Sequence, residues 1–282
     1  MAIALGLAVA ATYGAADFFG GIAAKRTTNW SVVVIVQAVG VVMLAALVGI
    51  DGVPWPAASD LVFGAVASLA GCLGVGLLYL GLARGPMGVV APITAVGSAV
   101  VPVAYGLLTG ERPAVIALGG VVLAIVAVVF IARNPPEHGV DEPVVAARST
   151  VLVAVGSGVC FGAFFILIDQ TNSDSGFWPL LSGRVVSLPL LVVLLAMFRR
   201  QIVPTRESLN AGVTSGILDT TANAFFIVAV REGLISLVAP IAALYPATTV
   251  LMARIVLQER VHRLQLLGLV LALFGVMLIS IG

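Results

Sequence analysis

Charge is scarce in this sequence. Asp, Glu, Lys and Arg make up 10% of the 282 residues, where a soluble domain carries about 25%, so a water-facing surface cannot be built from this stock. Metal and disulfide chemistry is equally short of material. The two cysteines, Cys72 and Cys160, sit in apolar runs, and the two histidines, His138 and His262, lie in polar connections without ligand spacing. Neither H-E-x-x-H nor a carboxylate cluster suited to a metal occurs, and no Gly-rich loop has the strand-then-helix context that phosphate binding needs. These gaps argue against an enzyme, a catalytic residue, a metal or a cofactor. With a net charge of +1 and no basic stripe, nothing points to nucleic acid.

What is plentiful is apolar. Hydrophobic residues reach 61% and mean hydropathy is +1.18, so the chain reads as an all-α membrane protein surrounded by lipid. A helix crosses the bilayer core with about 20 apolar residues. Cutting at charges, Pro/Gly clusters and polar runs gives ten spans, at 2–24, 31–50, 61–83, 87–108, 114–132, 150–168, 177–198, 209–230, 234–257 and 264–281. The first stays apolar to Ala24 and lacks a basic start, so it reads as a structural helix and not as a signal peptide. One connection is long and hydrophilic, the Pro- and charge-rich stretch 133–148, which divides the chain into 1–132 and 149–282.

Those two parts repeat one another. At a constant offset of 148 positions Tyr13-Gly14 meets Phe161-Gly162, Trp30 meets Trp178, Gly64 meets Gly212 and Gly85 meets Gly233. Ala91-Pro92-Ile93 meets Ala239-Pro240-Ile241, Glu111-Arg112 meets Glu259-Arg260, and Gly120 meets Gly268. Gly and Ala match often by chance in such a chain, but Trp, Pro and Glu-Arg do not, and the register holds without a gap. Each part holds five spans, an odd number, so the second enters the membrane with opposite polarity. The expected architecture is ten transmembrane helices in two inverted five-helix repeats, an arrangement common among secondary transporters.

The plan resembles the drug/metabolite transporter superfamily, and its EamA-type members in particular. Their repeats carry an Ala-Pro-Ile-like motif in the fourth helix, a Glu-Arg-like ending and a Gly in the fifth, matched here by Ala91-Pro92-Ile93, Glu111-Arg112 and Gly120, then by Ala239-Pro240-Ile241, Glu259-Arg260 and Gly268. The resemblance implies a multi-pass plasma-membrane transporter that moves a small metabolite, amino acid or drug, with efflux the expected direction. Since no nucleotide-binding motif is present, an ion gradient, exchange or facilitation must drive it, and a proton is a candidate coupling ion. The rival readings are a membrane-embedded enzyme acting on a lipid or prenyl substrate and a non-transporting membrane scaffold. Neither of them requires inverted repeats.

Two features mark where a substrate would bind. The fourth and ninth spans carry helix-breaking residues, Pro92, Gly97 and Pro102 in one and Pro240 and Pro246 in the other. Each Pro frees a carbonyl, which in lipid must be covered by protein or face a water-filled cavity. Matching breaks are a sequence pointer to a transport site, although kinks that serve packing alone would look the same. Thr94, Ser98, Tyr245 and Thr249 lie close by. The second feature is ionisable residues inside spans, Asp17, Arg184 and Asp219, which are costly in a bilayer and usually functional or paired. Ser215 and Asn223 share the helix face of Asp219. At a rise of about 1.5 Å per residue, Arg184 and Asp219 fall within about one helical turn of the same depth, whereas Asp17 lies too deep to bond Arg184. The pair is expected to face the cavity and to exchange partners with a zwitterionic or anionic substrate, a structural ion pair being the alternative. The glycines, including the Gly212/Gly216 step, read as packing, and Trp30, Trp55 and Trp178 as an interfacial belt.

Connections after odd-numbered helices hold Lys25, Arg26, Arg84, Arg133, Arg148, Arg199, Arg200, Arg206, Arg260 and Arg263, while those after even-numbered ones hold Arg112 and Arg231. Positive residues stay cytoplasmic, so both termini are expected outside, although relatives of the resembled family more often have cytoplasmic termini. Cysteines placed in the 51–60 connection should react with an impermeant thiol reagent in intact cells, and those in 199–208 only after permeabilisation. The reverse labelling pattern would invert the assignment.

Overall fold

The computed structural model describes residues 1–24, 26–84, 87–131, 148–197, 205–256, 258 and 263–281. Every regular element among them is helical: α1 (Ala2–Ala24), α2 (Asn29–Asp51), α3 (Ala58–Arg84), α4 (Met87–Thr109), α5 (Val115–Ile131), α6 (Arg148–Asp169), α7 (Trp178–Met197), α8 (Arg206–Glu232), α9 (Ile235–Ala242), α10 (Tyr245–Val256) and α11 (Arg263–Ile281), with a 3-10 turn at Ser173–Ser175. Eight segments are long and apolar enough to cross a membrane, α9 and α10 counting together as one, and the apolar parts of α4 and α5 are shorter. The hydrophilic stretch expected at 133–148 lies outside the described residues except for Arg148, which opens α6.

Local chemistry sets the helix ends. Thr28 accepts from the Ser31 amide ahead of α2, and Thr205 and Ser208 form a reciprocal capping box ahead of α8. Gly52, at φ 65°, closes α2 by donating to the Val48 carbonyl. The Glu-Arg ending of the fourth span has a specific task. Glu111 accepts from the amides of Ile235 (2.9 Å) and Ser236 (3.0 Å), so the end of α4 caps the start of α9. Its repeat partner Glu259 lies outside the described residues.

The ninth span is broken and the fourth is not. Pro246 has no amide hydrogen to offer the Ala242 carbonyl, and the residue before a proline disfavours the α conformation. The chain turns at Ala243-Leu244, and α10 restarts with Pro246 as its second residue, where a missing donor is tolerated. The fourth span was expected to break at a matching place, but α4 is continuous from Met87 to Thr109. The residue in register with Pro246 is Ser98, whose amide is intact, and Pro102 corresponds instead to Val250.

The two halves interleave. α1 packs on α8, α9 and α10; α6 packs on α3 and α4; α2 packs on α8, and α3 on α7. Exchanging each helix for its counterpart turns this set into itself: α1–α8 becomes α6–α3, α2–α8 becomes α7–α3, and α4–α6 becomes the broken ninth span on α1. The pairs α2–α7, α4–α9 and α5–α11 map onto themselves, so a pseudo-two-fold axis runs between their members. The equivalence reaches single residues. A Cβ added at Gly14 would meet Thr249, and one at Gly162 would meet Val101, the counterpart of Thr249. Gly120 packs on Ile279 and Gly268 on Ile131, again counterparts.

Contact registers fix each helix's direction. Tyr13 meets Asn223 whereas Gly20 meets Ser215, so α1 and α8 are antiparallel. α8 runs parallel to α2, with Gly212 on Ile35 and Thr220 beside Gly40. α2 runs antiparallel to α7, with Gln37 on Ser187 and Gly40 beside Arg184. α7 is parallel to α3, with Gly183 at Gly64 and Ser187 at Ser68. α3 is antiparallel to α6, with Gly74 on Phe161 and Gly81 at Val153. Following these steps, α1 and its counterpart α6 point in opposite directions. The repeats are inverted.

Two glycines of α3 test the packing. A Cβ at Gly64 would lie 1.9 Å from the Pro179 carbonyl oxygen, whereas one at Gly76 meets nothing within 4 Å. Gly64→Ala should lower the thermal midpoint in detergent, at a cost of about 3 kcal/mol or more. Gly76→Ala should leave it unchanged or raise it, since Ala favours a helix by about 1 kcal/mol. Equal midpoints for the two variants would contradict the close approach.

Candidate functional site

Three helices bring polar side chains together in the middle of the bundle. Arg184 of α7 reaches across to Asp219 of α8, and its Nη2 forms a charged hydrogen bond with the Asp219 carboxylate. Gly40 of α2 makes room for that side chain: a Cβ there would lie 3.1 Å from the Arg184 Nε. Asn223, one turn beyond Asp219, donates its amide to the Asp219 backbone oxygen (2.7 Å) and carboxylate (3.2 Å). Tyr13 of α1 then donates its hydroxyl to the Asn223 Oδ1 at 2.9 Å. The chain Tyr13–Asn223–Asp219–Arg184 therefore fixes the carboxylate from both sides. The Arg184 and Asp219 side chains keep 14% and 26% of their accessible surface, so the pair borders open space.

Asp17 lies one turn beyond Tyr13. It occupies the packed face of α1, shared with the buried Gly6, Val9, Ala10, Gly14 and Ala16, yet it is exposed. A residue exposed on a packed face borders space left open between helices. The α1–α8 register, Tyr13 with Asn223 and Gly20 with Ser215, sets Asp17 level with Asp219, which corrects the greater depth expected from helical rise counted from the span's start. Among the described residues Asp17 makes no hydrogen bond or ion pair. Ser215, on the same face of α8, donates to the Ala16 carbonyl at 2.8 Å and ties the two helices together. Tyr245 begins α10 against α1: a Cβ at Gly14 would meet its carbonyl oxygen at 2.3 Å, and Thr249 donates to the Gly14 carbonyl at 3.0 Å.

Other residues singled out in the sequence serve the scaffold. The Thr94 hydroxyl is buried and donates to the Ala154 carbonyl of α6 (3.2 Å), and the buried Ser98 hydroxyl donates to Ala95 within its own helix (2.8 Å). Neither is left to line a cavity. Gly97 stands against Gly158, where a Cβ would come within 2.9 Å of the opposite Cα, and Pro102 is buried against Gly162. Pro240 is buried inside α9 and Pro246 opens α10. The backbone of Pro92 belongs to α4, and its side chain lies outside the described residues.

A second polar group, with no cue in the sequence, lies one turn from Arg184. Gln37 of α2, fully enclosed, donates to the Ser187 hydroxyl at 2.6 Å, and Ser68 of α3 donates to the same hydroxyl at 3.0 Å. Gln37 reads as an isolated polar residue in an apolar run, and only the spatial neighbours reveal its role. Tyr13 was legible as a repeat position but not as a ligand of Asn223. A crevice of about 380 Å³, lined by Leu5, Met43, Leu47, Phe177 and Phe225 among others, lies on the other face of α8 and is apolar.

Comparison with known proteins gives this geometry a context. The chain is 28% identical over 132 residues to an uncharacterized protein of Methanocaldococcus jannaschii, a match that covers 47% of this chain and 93% of that protein. That relative is therefore about one repeat long. A solved structure titled only "Crystal structure of protein" superposes with a TM-score of 0.80 over 99% of this chain and 96% of that one, at 14% identity, so the likeness is one of fold. The family model described as EamA-like transporter family matches twice, over residues 1–133 and 148–281. With both five-helix halves matched in turn, the chain belongs to the EamA-like transporter family.

Proposed function

We propose that this chain is a secondary transporter that works by alternating access and exports a small charged metabolite, amino acid or drug across the plasma membrane. The observation that carries the reading is the Arg184–Asp219 pair, joined inside membrane-spanning helices yet still bordering open space. An isolated charge in the bilayer core costs a few kcal/mol, and a purely structural pair has no need to stay accessible. The inverted repeat supports the reading, because two halves of opposite polarity can exchange conformations and open one face at a time.

In this mechanism the empty cavity holds Arg184 against Asp219. A substrate carboxylate competes for the guanidinium, while Asn223 and Tyr13 keep Asp219 in place. The broken ninth span supplies a joint at Ala243-Leu244 about which α10 moves relative to α9. An ion gradient, with the proton as the candidate ion, or exchange of substrates supplies the energy.

Purified protein in liposomes should accumulate at least one member of a panel of radiolabelled amino acids and amines above protein-free controls. Arg184→Gln and Asp219→Asn should each abolish that flux, because each leaves one charge unpaired in the membrane. The double variant should regain the wild-type thermal midpoint but not transport. Wild-type flux from either single variant would remove the pair from the mechanism.

Pro246→Ala should restore a donor to the Ala242 carbonyl and straighten the ninth span. Transport should fall while the thermal midpoint holds or rises. Unchanged flux would make the break a packing feature.

A further inference from the structure

The charges around the cavity do not balance. Arg184 is matched by Asp219, and Asp17 is left over. No cation on the elements packed against α1 pairs with it among the described residues. α8 faces it with Asp219 and keeps its cations, Arg206 and Arg231, in its end turns, while α10 begins with Tyr245 and carries Arg254, exposed, in its last turn. α9 has no ionisable side chain, and those of α2 and α11 lie at their helix ends, at Asp51 and Arg263. Arg184 of α7 is held by Asp219, and the ionisable side chain of the neighbouring α3 wall is Cys72.

Two further observations bear on what fills the space. Tyr13 lies at i−4 from Asp17 on the same face of α1, and Tyr245 begins α10 against Gly14, one turn from Asp17. Both tyrosines are half-buried. The Tyr13 hydroxyl is engaged by Asn223, which leaves its ring as a surface. A carboxylate with aromatic rings nearby is the chemistry that recognises ammonium groups. Beside them the ninth span breaks. α9 ends at Ala242, where Pro246 frees a carbonyl, and this end leads directly into Tyr245 on Gly14, one turn from Asp17. A half-helix that stops at such a place presents the negative end of its dipole, which suits a cation.

We infer that Asp17, Tyr13, Tyr245 and the carbonyl end of α9 form a site for an organic ammonium group, so that the transported substrate is an amine. This rests on the transporter reading and narrows its substrate class. A zwitterion fits as well, with its ammonium at Asp17 and its carboxylate at Arg184, whereas a purely anionic substrate meets an unmatched carboxylate.

Binding to the full chain in detergent tests the site apart from transport. The probes are matched sets that differ only in their headgroup: phenethylamine, 2-phenylethanol and 3-phenylpropionate, with hexylamine, hexanol and hexanoate beside them. Amines should raise the thermal midpoint and bind saturably, and the alcohols and carboxylates should not. Asp17→Asn should weaken amine binding about tenfold or more, while its unliganded midpoint holds, because the substitution removes a charge from the membrane interior. Tyr245→Leu should weaken binding about fivefold and Tyr245→Phe should not, as a ring-face contact requires. Stabilisation by the carboxylates, no stabilisation by either amine, or amine binding that survives Asp17→Asn would overturn the assignment. Flux of the same amines into liposomes is scored separately. Amine binding without flux leaves the site standing and counts against the transporter reading, whereas flux without dependence on Asp17 does the reverse.

Discussion

Close approach of backbones at glycine holds the two halves together, and the rest of the structure depends on it. Between helices in lipid there is no hydrophobic gain from contact, because the acyl chains are as apolar as leucine, so association rests on packing and interhelical hydrogen bonds. Gly64 lies against the Pro179 carbonyl, Gly14 against that of Tyr245 and Gly120 against that of Gly275, all nearer than any Cβ allows. Most of these contacts join a helix of one half to a helix of the other. The bundle is held by the interleaving of its repeats, so whatever moves must move against these seams.

On this symmetric frame the polar site is asymmetric. At the 148-residue offset Asp219 corresponds to Gly71, Asn223 to Val75, Arg184 to Val36, Asp17 to Phe165 and Tyr13 to Phe161. Every polar member has an apolar or glycine counterpart. Phe165 packs against Phe226 with ring centroids 4.4 Å apart, inside the largest core cluster. Thus the same helical geometry that lines a cavity at α1 and α8 is filled with side chains at α6 and α3. One location in the bundle is polar and open, and its symmetry mate is apolar and closed.

Ten spans, their boundaries and the inverted repeat were legible in the sequence, because apolar runs and a constant register survive reading in one dimension. The Arg184–Asp219 pair was legible too, since few ionisable residues fall inside spans and helical rise alone puts these two at similar depth. Direction around the helix axis was legible on α8, where Ser215 and Asn223 share the face of Asp219, but not on α4. Thr94 and Ser98 sit beside prolines in the sequence, yet both face buried contacts because α4 turns that side toward α6 at Gly97–Gly158. Gln37 and Tyr13 matter through partners 150 and 210 positions away, beyond any local pattern. The expected break in α4 failed for a chemical reason, since a serine amide stands where the ninth span has Pro246.

The repeated Glu-Arg ending bears on the cavity through the short α9. A helix of eight residues has its two ends about 12 Å apart, and both act on their surroundings. Glu111 neutralises the amino end by accepting from Ile235 and Ser236, which cancels the positive partial charge there. At the carbonyl end the Ala243 and Leu244 amides satisfy Ala239 and Ile241, but the Ala242 carbonyl loses its donor because that donor would belong to Pro246. With a full charge set against one end and only neutral amides and a free carbonyl at the other, the field that α9 leaves beside Tyr245 and Asp17 is negative. Helix dipole and unpaired carboxylate therefore have the same sign at the same place. A fold that only needed to pack would have set a cation beside the carboxylate and a donor on the Ala242 carbonyl. Leaving both open keeps that position ready for a positive charge that enters with the cargo.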